Sequence, residues 1–140
     1  MRDIRGFFSI DAMFALTLIL IISTSFLNLY EGRKAGVELS GARLEARLVG
    51  EGLAAAINTV YANGSNFELY LGLPENIGGY SYRIAFDSFT RQISVENSAW
   101  GATNVGVIPK NVQDFVLESG DLDDSILVYW DDDQIRVVSA

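Results

Sequence analysis

Ala12-Met13-Phe14-Ala15-Leu16-Thr17-Leu18-Ile19-Leu20-Ile21-Ile22-Ser23-Thr24-Ser25-Phe26-Leu27-Asn28-Leu29-Tyr30 carries no charge, and the carboxylate Asp11 stands immediately before it. At a rise of ~1.5 Å per residue, a helix over 12–30 covers about 28 Å, close to the ~30 Å hydrocarbon thickness of a bilayer. The segment is long enough to span a membrane. Upstream lie Arg2, Asp3 and Arg5, and basic residues before a span favour the inner side, which puts everything after Tyr30 outside. Four readings of residues 1–30 compete. They are a secretory signal peptide cut near Ser23-Thr24-Ser25, an uncleaved signal anchor, a buried helix of a cytosolic protein, and an N-terminal segment cut before its apolar part.

Downstream, no proline occurs until Pro74 and helix formers dominate to Ala62. Ala35, Leu39, Ala42, Ala46, Val49, Leu53, Ala56 and Val60 recur at alternating spacings of four and three, one face of a helix. Val37, Gly41, Leu44, Leu48, Gly52 and Ala55 fall roughly opposite. A helix lying on one core needs a single apolar stripe. A second stripe predicts a second partner, with one face docking the protein's own sheet and the other packing on sister helices. Glu38 and Glu45 project on one flank between the stripes, Arg43 and Arg47 on the other. In an array, the acidic flank of one copy can meet the basic flank of the next and fix register. The plainer alternative is a solvated face with weak pairs such as Lys34–Glu38 and Arg47–Glu51. Gly32, Gly36, Gly41, Gly50 and Gly52 each cost up to ~1 kcal/mol relative to alanine in a helix, and the Gly32/Gly36 spacing permits close helix approach or marks a hinge.

After Ala62 the period changes. Asn63-Gly64-Ser65-Asn66 stops the helix, and Asn63-Gly64-Ser65 is an N-glycosylation acceptor pattern. Alternation predicts strands at Phe67–Leu71, at Tyr80–Asp87 and around Ile93 and Val95. Residues 98–113 read as a surface loop, with Val105 and Val107 the only hint of a strand. Phe115–Leu117 is a short strand, and Ile126–Trp130 is turned back by Asp131-Asp132-Asp133 into Ile135–Val138. The apolar continuity of Ile126–Trp130 predicts a central strand covered on both faces, one cover being the stem helix. The fold class expected is α+β, a long N-terminal helix packed on a small antiparallel β-sheet head, with a leader at 1–6, the helix at 7–62 and the head at 63–140.

The chain has 140 residues, a net charge of −8, and neither cysteine nor histidine. Twelve acids against Arg83, Arg91, Lys110 and Arg136 put that net charge in the head, which disfavours nucleic acid as a partner. Missing histidine and cysteine remove the commonest general base, thiol nucleophiles and the usual zinc or copper ligands. No glycine-rich loop ends in Lys-Ser/Thr, so nucleotide binding has no support. No catalytic residue, cofactor or metal is expected. Asp121-x-Asp123-Asp124 and Asp131-Asp132-Asp133 offer oxygen ligands but lack EF-hand spacing, and the expectation for both is solvated loops.

Arg5-Gly6-Phe7-Phe8-Ser9-Ile10-Asp11 resembles the class III signal peptide of type IV pilin-like proteins, most closely the archaeal, methanogen-type pilins. Counted from Phe7, Ser9 and Asp11 occupy the hydroxyl and acidic positions of that pattern, with Phe7 where Gln is frequent and Asp11 where Glu is usual. The resemblance implies cleavage after Gly6 by a prepilin peptidase on the cytoplasmic side, leaving Phe7 as the first residue. It implies that Asp11 then pairs with the α-amino group of Phe7 in an adjacent copy. It further implies a membrane-held precursor, an assembly platform, and an extracellular adhesive filament of many copies. The alternative is a single-pass membrane-anchored surface protein whose head binds a ligand or cell-wall component without polymerising.

Overall fold

A computed structural model describes residues 4–122 and 125–140, with 4–9 described in backbone alone. The fold is α+β: helix α1 (Ile4–Asn63) is followed by β1 (Glu68–Gly72), β2 (Arg83–Asp87), β3 (Gln92–Asn97), β4 (Gly101–Gly106), β5 (Phe115–Glu118), β6 (Ser125–Asp131) and β7 (Gln134–Ser139). The chain divides into two units, 1–37 and 38–140. The described residues of the first are all helix, and every described side chain from Ile10 to Val37 is exposed.

In the second unit, residues 38–63 of α1 pack on two antiparallel sheets, ordered β1-β6-β7 and β4-β3-β2-β5. Ala42, Ala46, Leu53, Ala56 and Val60 are buried, and Leu39 and Val49 pack against the same core. This is the predicted docking stripe from Leu39 onward. Opposite them, the sheets contribute Ile84, Ile93, Val95, Ile126, Val128 and Ile135, all at 0 % exposure. One continuous core therefore joins the helix and both sheets.

Local chemistry fixes the helix end. Gly64 takes φ +83°, a left-handed conformation that glycine adopts without a Cβ penalty, and its N–H donates to Val60 O at 3.1 Å. The indole Nε1 of Trp130 donates to the same carbonyl at 3.0 Å, and its ring stacks on Tyr61 at 6.1 Å. The last turn of α1 is thus capped by its own turn and by β6.

Two expectations about the head need correction. The strands form two sheets, because β1 crosses to pair with β6 (Leu69 opposite Val128) while β2 pairs with β3 and β5. The expected surface loop at 98–113 contains β4, which pairs along its length with β3. Gly-Ala-Thr-Asn-Val-Gly lacks apolar alternation because an edge strand of this kind draws its stability from the backbone ladder. The rest of that stretch is anchored too: Trp100, Val107 and Val112 are buried.

Strand β2 starts at Arg83, later than expected. Tyr80 instead closes a two-residue turn on Ile77, with N–H to O distances of 2.9 and 3.0 Å in the two directions. Gly78 and Gly79 fill the turn at φ +59° and +82°, the positive values that a tight hairpin of this type demands. Strand β6 is central in its sheet, as expected. Only one of its faces is fully covered, with Ile126 and Val128 buried and Leu127 and Tyr129 half-buried. Asp132, at φ +53°, makes the turn between β6 and β7.

Candidate assembly surface

Three hydroxyls of the apolar run are satisfied inside the helix. Thr17 Oγ1 donates to Met13 O at 2.8 Å, Thr24 Oγ1 to Leu20 O at 2.8 Å, and Ser25 Oγ to Ile21 O at 2.9 Å. Hydroxyls bonded to the carbonyl four residues back need no water, which suits this segment to hydrocarbon or to other apolar helices. Around them Phe14, Leu18, Ile19, Ile22, Phe26 and Leu29 are all more than half exposed. The helix is long and apolar enough to cross a membrane. Asp11 is exposed at the head of this run. Gly6 and Phe7 lie in the helix, described there in backbone alone.

In the second unit, the face opposite the docking stripe has no cover among the described residues. Leu44 and Leu48 are 61 % and 59 % exposed, and Gly41 and Ala55 are exposed beside them. A Cβ at Gly41 or Gly52 would meet nothing within 4 Å, as at Gly32 and Gly36 in the first unit. Gly50 differs. A Cβ there would come within 3.0 Å of Val105 Cγ2 and 3.4 Å of Val95 Cγ2, so this glycine lets α1 approach the β3–β4 pair.

The four flank charges do not share one environment. Arg43 Nε donates to Trp100 O at 2.9 Å, and Glu45 Oε2 accepts from Gly78 N at 3.2 Å. Both are therefore tied to the protein's own head. Arg47 Nε pairs with Glu51 Oε1 at 2.8 Å, and both side chains are exposed, so this is the weak intrahelical pair expected of a solvated face. Glu38 is exposed.

The turn that holds Glu45 involves residues whose roles were not legible from spacing. A Cβ at Gly78 would fall 2.7 Å from Ala42 Cβ, so the turn closes directly on the docking stripe. Tyr82 is buried beside it, donating its hydroxyl to Pro74 O at 2.6 Å. Burial, and secondarily the Glu45 carboxylate, pushes its pKa up to about 12. Trp100, packed edge-on to Tyr80, is buried, and its Nε1 has no hydrogen-bond partner among the described residues.

Other candidate sites offer less. A cleft of about 580 Å³ is lined by Ser81, Arg83, Glu96, Ser98 and Glu118 among others, and there Arg83 and Glu96 pair with each other at 3.3 Å. Among the described residues no group of three acidic side chains is placed to hold a metal ion. Asp131 pairs with Arg136 at 2.8 Å, while Asp123 and Asp124 lie outside the described residues. Asn63 is exposed at the helix end, its Nδ2 donating to Thr59 O at 2.8 Å. Comparison with protein-family models, with curated proteins and with solved structures returns no match.

Proposed function

We propose that this chain is a structural subunit of a type IV pilus-like filament, held in the membrane as a precursor, cut after Gly6 by a prepilin peptidase, and added by an assembly platform to an extracellular polymer of itself. Its role is structural, not catalytic. The observation that carries the reading is the total exposure of the apolar run from Ile10 to Tyr30, followed within the same helix by an uncovered stripe at Leu44 and Leu48. Fully burying a large aliphatic or aromatic side chain contributes about 1.5–3 kcal/mol, so a run of this length supplies on the order of tens of kcal/mol to whatever covers it. A bilayer covers the first part. Residues 41–55 lie beyond the length that a bilayer requires, and another copy of the chain is the cover that serves both segments.

Asp11 then has a defined task. A carboxylate within apolar surroundings costs ~2.5–3.5 kcal/mol at a helix centre and less near an end, and the new α-amino group of Phe7 in a neighbouring copy would offset that cost. Asp11→Ala should insert and be processed normally, yet yield no filaments. The single-pass anchor is the competing reading, since Thr17, Thr24 and Ser25 would sit equally well in lipid. N-terminal sequencing of membrane-extracted protein separates the two: a start at Phe7 supports the subunit, and an intact Met1 supports the anchor.

A further inference from the structure

We infer that Asn63 is an N-glycosylation site and that its glycan marks the upper limit of the helix face used for packing between copies. The inference rests on the proposed placement of the head outside the membrane. Asn63-Gly64-Ser65 is the one Asn-x-Ser/Thr sequence in the chain, and it lies where an acceptor must lie, on an exposed turn. Asn63 is the last residue of α1, Gly64 is left-handed at φ +83°, and Ser65 and Asn66 are exposed. Phe67 N donates to Gly64 O at 3.1 Å, which folds the acceptor sequence into a compact loop pointing away from the core.

The amide chemistry is compatible with the local bonding. Nδ2 carries two hydrogens, and the bond to Thr59 O at 2.8 Å uses one. In the transfer, Nδ2 forms a bond to C1 of the first sugar of a polyprenyl-phosphate-linked oligosaccharide. The C1–O bond breaks, its electron pair leaving with the lipid phosphate, and the displaced amide proton passes to a base on the transferase. The second N–H remains, so the bond to Thr59 O survives modification.

Position along the helix gives the glycan its consequence. Leu44, Leu48, Gly52, Ala55, Thr59 and Asn63 follow one another at spacings of three and four, which places them on one face. That face changes from aliphatic at Leu44 and Leu48, through glycine and alanine, to polar at Thr59 and Asn63. A hydrated oligosaccharide cannot be buried against a sister helix, so contact on this face must end below Thr59.

The test uses the full-length chain in a cell that holds lipid-linked oligosaccharide. Whole cells are treated with a membrane-impermeant amine reagent, and the extracted protein is mapped by mass spectrometry at Lys110 and at the peptide containing Asn63. Labelled Lys110 with a glycan at Asn63, lost in Asn63→Gln and Ser65→Ala but kept in Ser65→Thr, is the expected result. Labelled Lys110 with unmodified Asn63 overturns the inference and leaves the placement of the head intact. Unlabelled Lys110, with the same residue labelled after lysis, overturns both.

Discussion

Residues 39–60 and 10–30 belong to the same helix, yet only the former has apolar side chains buried among the described residues. In 39–60, Ala46, Leu53, Ile57 and Val60 are wholly buried against the sheets, while Leu44 and Leu48 stand in the open. In 10–30, every side chain stands in the open. The difference shows that helix formation and helix covering are separate problems. Backbone hydrogen bonds make the helix in both places, whereas the head supplies only one face of apolar partners.

The comparison is broken most severely by exchanging positions across the helix. Leu53→Ala should cost about 2–5 kcal/mol of head stability through the cavity it leaves, whereas Leu48→Ala should change stability by less than about 0.5 kcal/mol. Denaturant titration of the detergent-held chain measures both, and equal losses would mean that Leu48 is covered within the monomer. Next in size is Gly78→Ala. Its left-handed φ and the overlap with Ala42 Cβ should together cost about 1–3 kcal/mol, read as a lower denaturation midpoint.

Tyr82 sharpens the same contrast through pH. With a folded pKa of about 12 against an unfolded value of about 10, the folded state holds the phenolic proton more tightly. The associated stability is fully present below pH 10 and is lost as pH rises toward 12. Tyr82→Phe should flatten that alkaline slope in a series of denaturant titrations.

Smaller effects separate the helix glycines and charges. Gly41→Ala, facing open space, should gain up to about 1 kcal/mol from helix propensity. Gly50→Ala should gain nothing or lose stability, because Val105 must yield to the new methyl. Arg47→Ala should cost no more than about 0.5 kcal/mol, and a thermal melt suffices to see whether it does.

Much of this architecture was legible in the sequence, and the exceptions share a physical cause. The docking stripe, the helix stop at Asn63-Gly64 and the strands around Phe86, Val95, Leu117 and Val128 are written in apolar periodicity or turn chemistry. Strand β4 is not, since Thr103 and Asn104 join the sheet through backbone groups that every residue carries. The pairing of β1 with β6 is equally silent, because it depends on contacts far apart in the chain. Arg43 and Glu45 are instructive in another way. Helical spacing placed them on opposite flanks, but their tethering to Trp100 O and Gly78 N depends on loops that no helical wheel contains. For the candidate surface, periodicity revealed the second stripe, and only the folded head shows that Leu44 and Leu48 have no cover among its described residues.

The absence of cysteine makes the central claim directly measurable. A single Leu48→Cys substitution should be protected from a soluble, membrane-impermeant thiol reagent in intact cells and react once the chain is dispersed in detergent, while Glu68→Cys on exposed β1 should react in both. Leu48→Cys protein that reacts in intact cells as readily as Glu68→Cys would contradict the proposal that another copy covers this face.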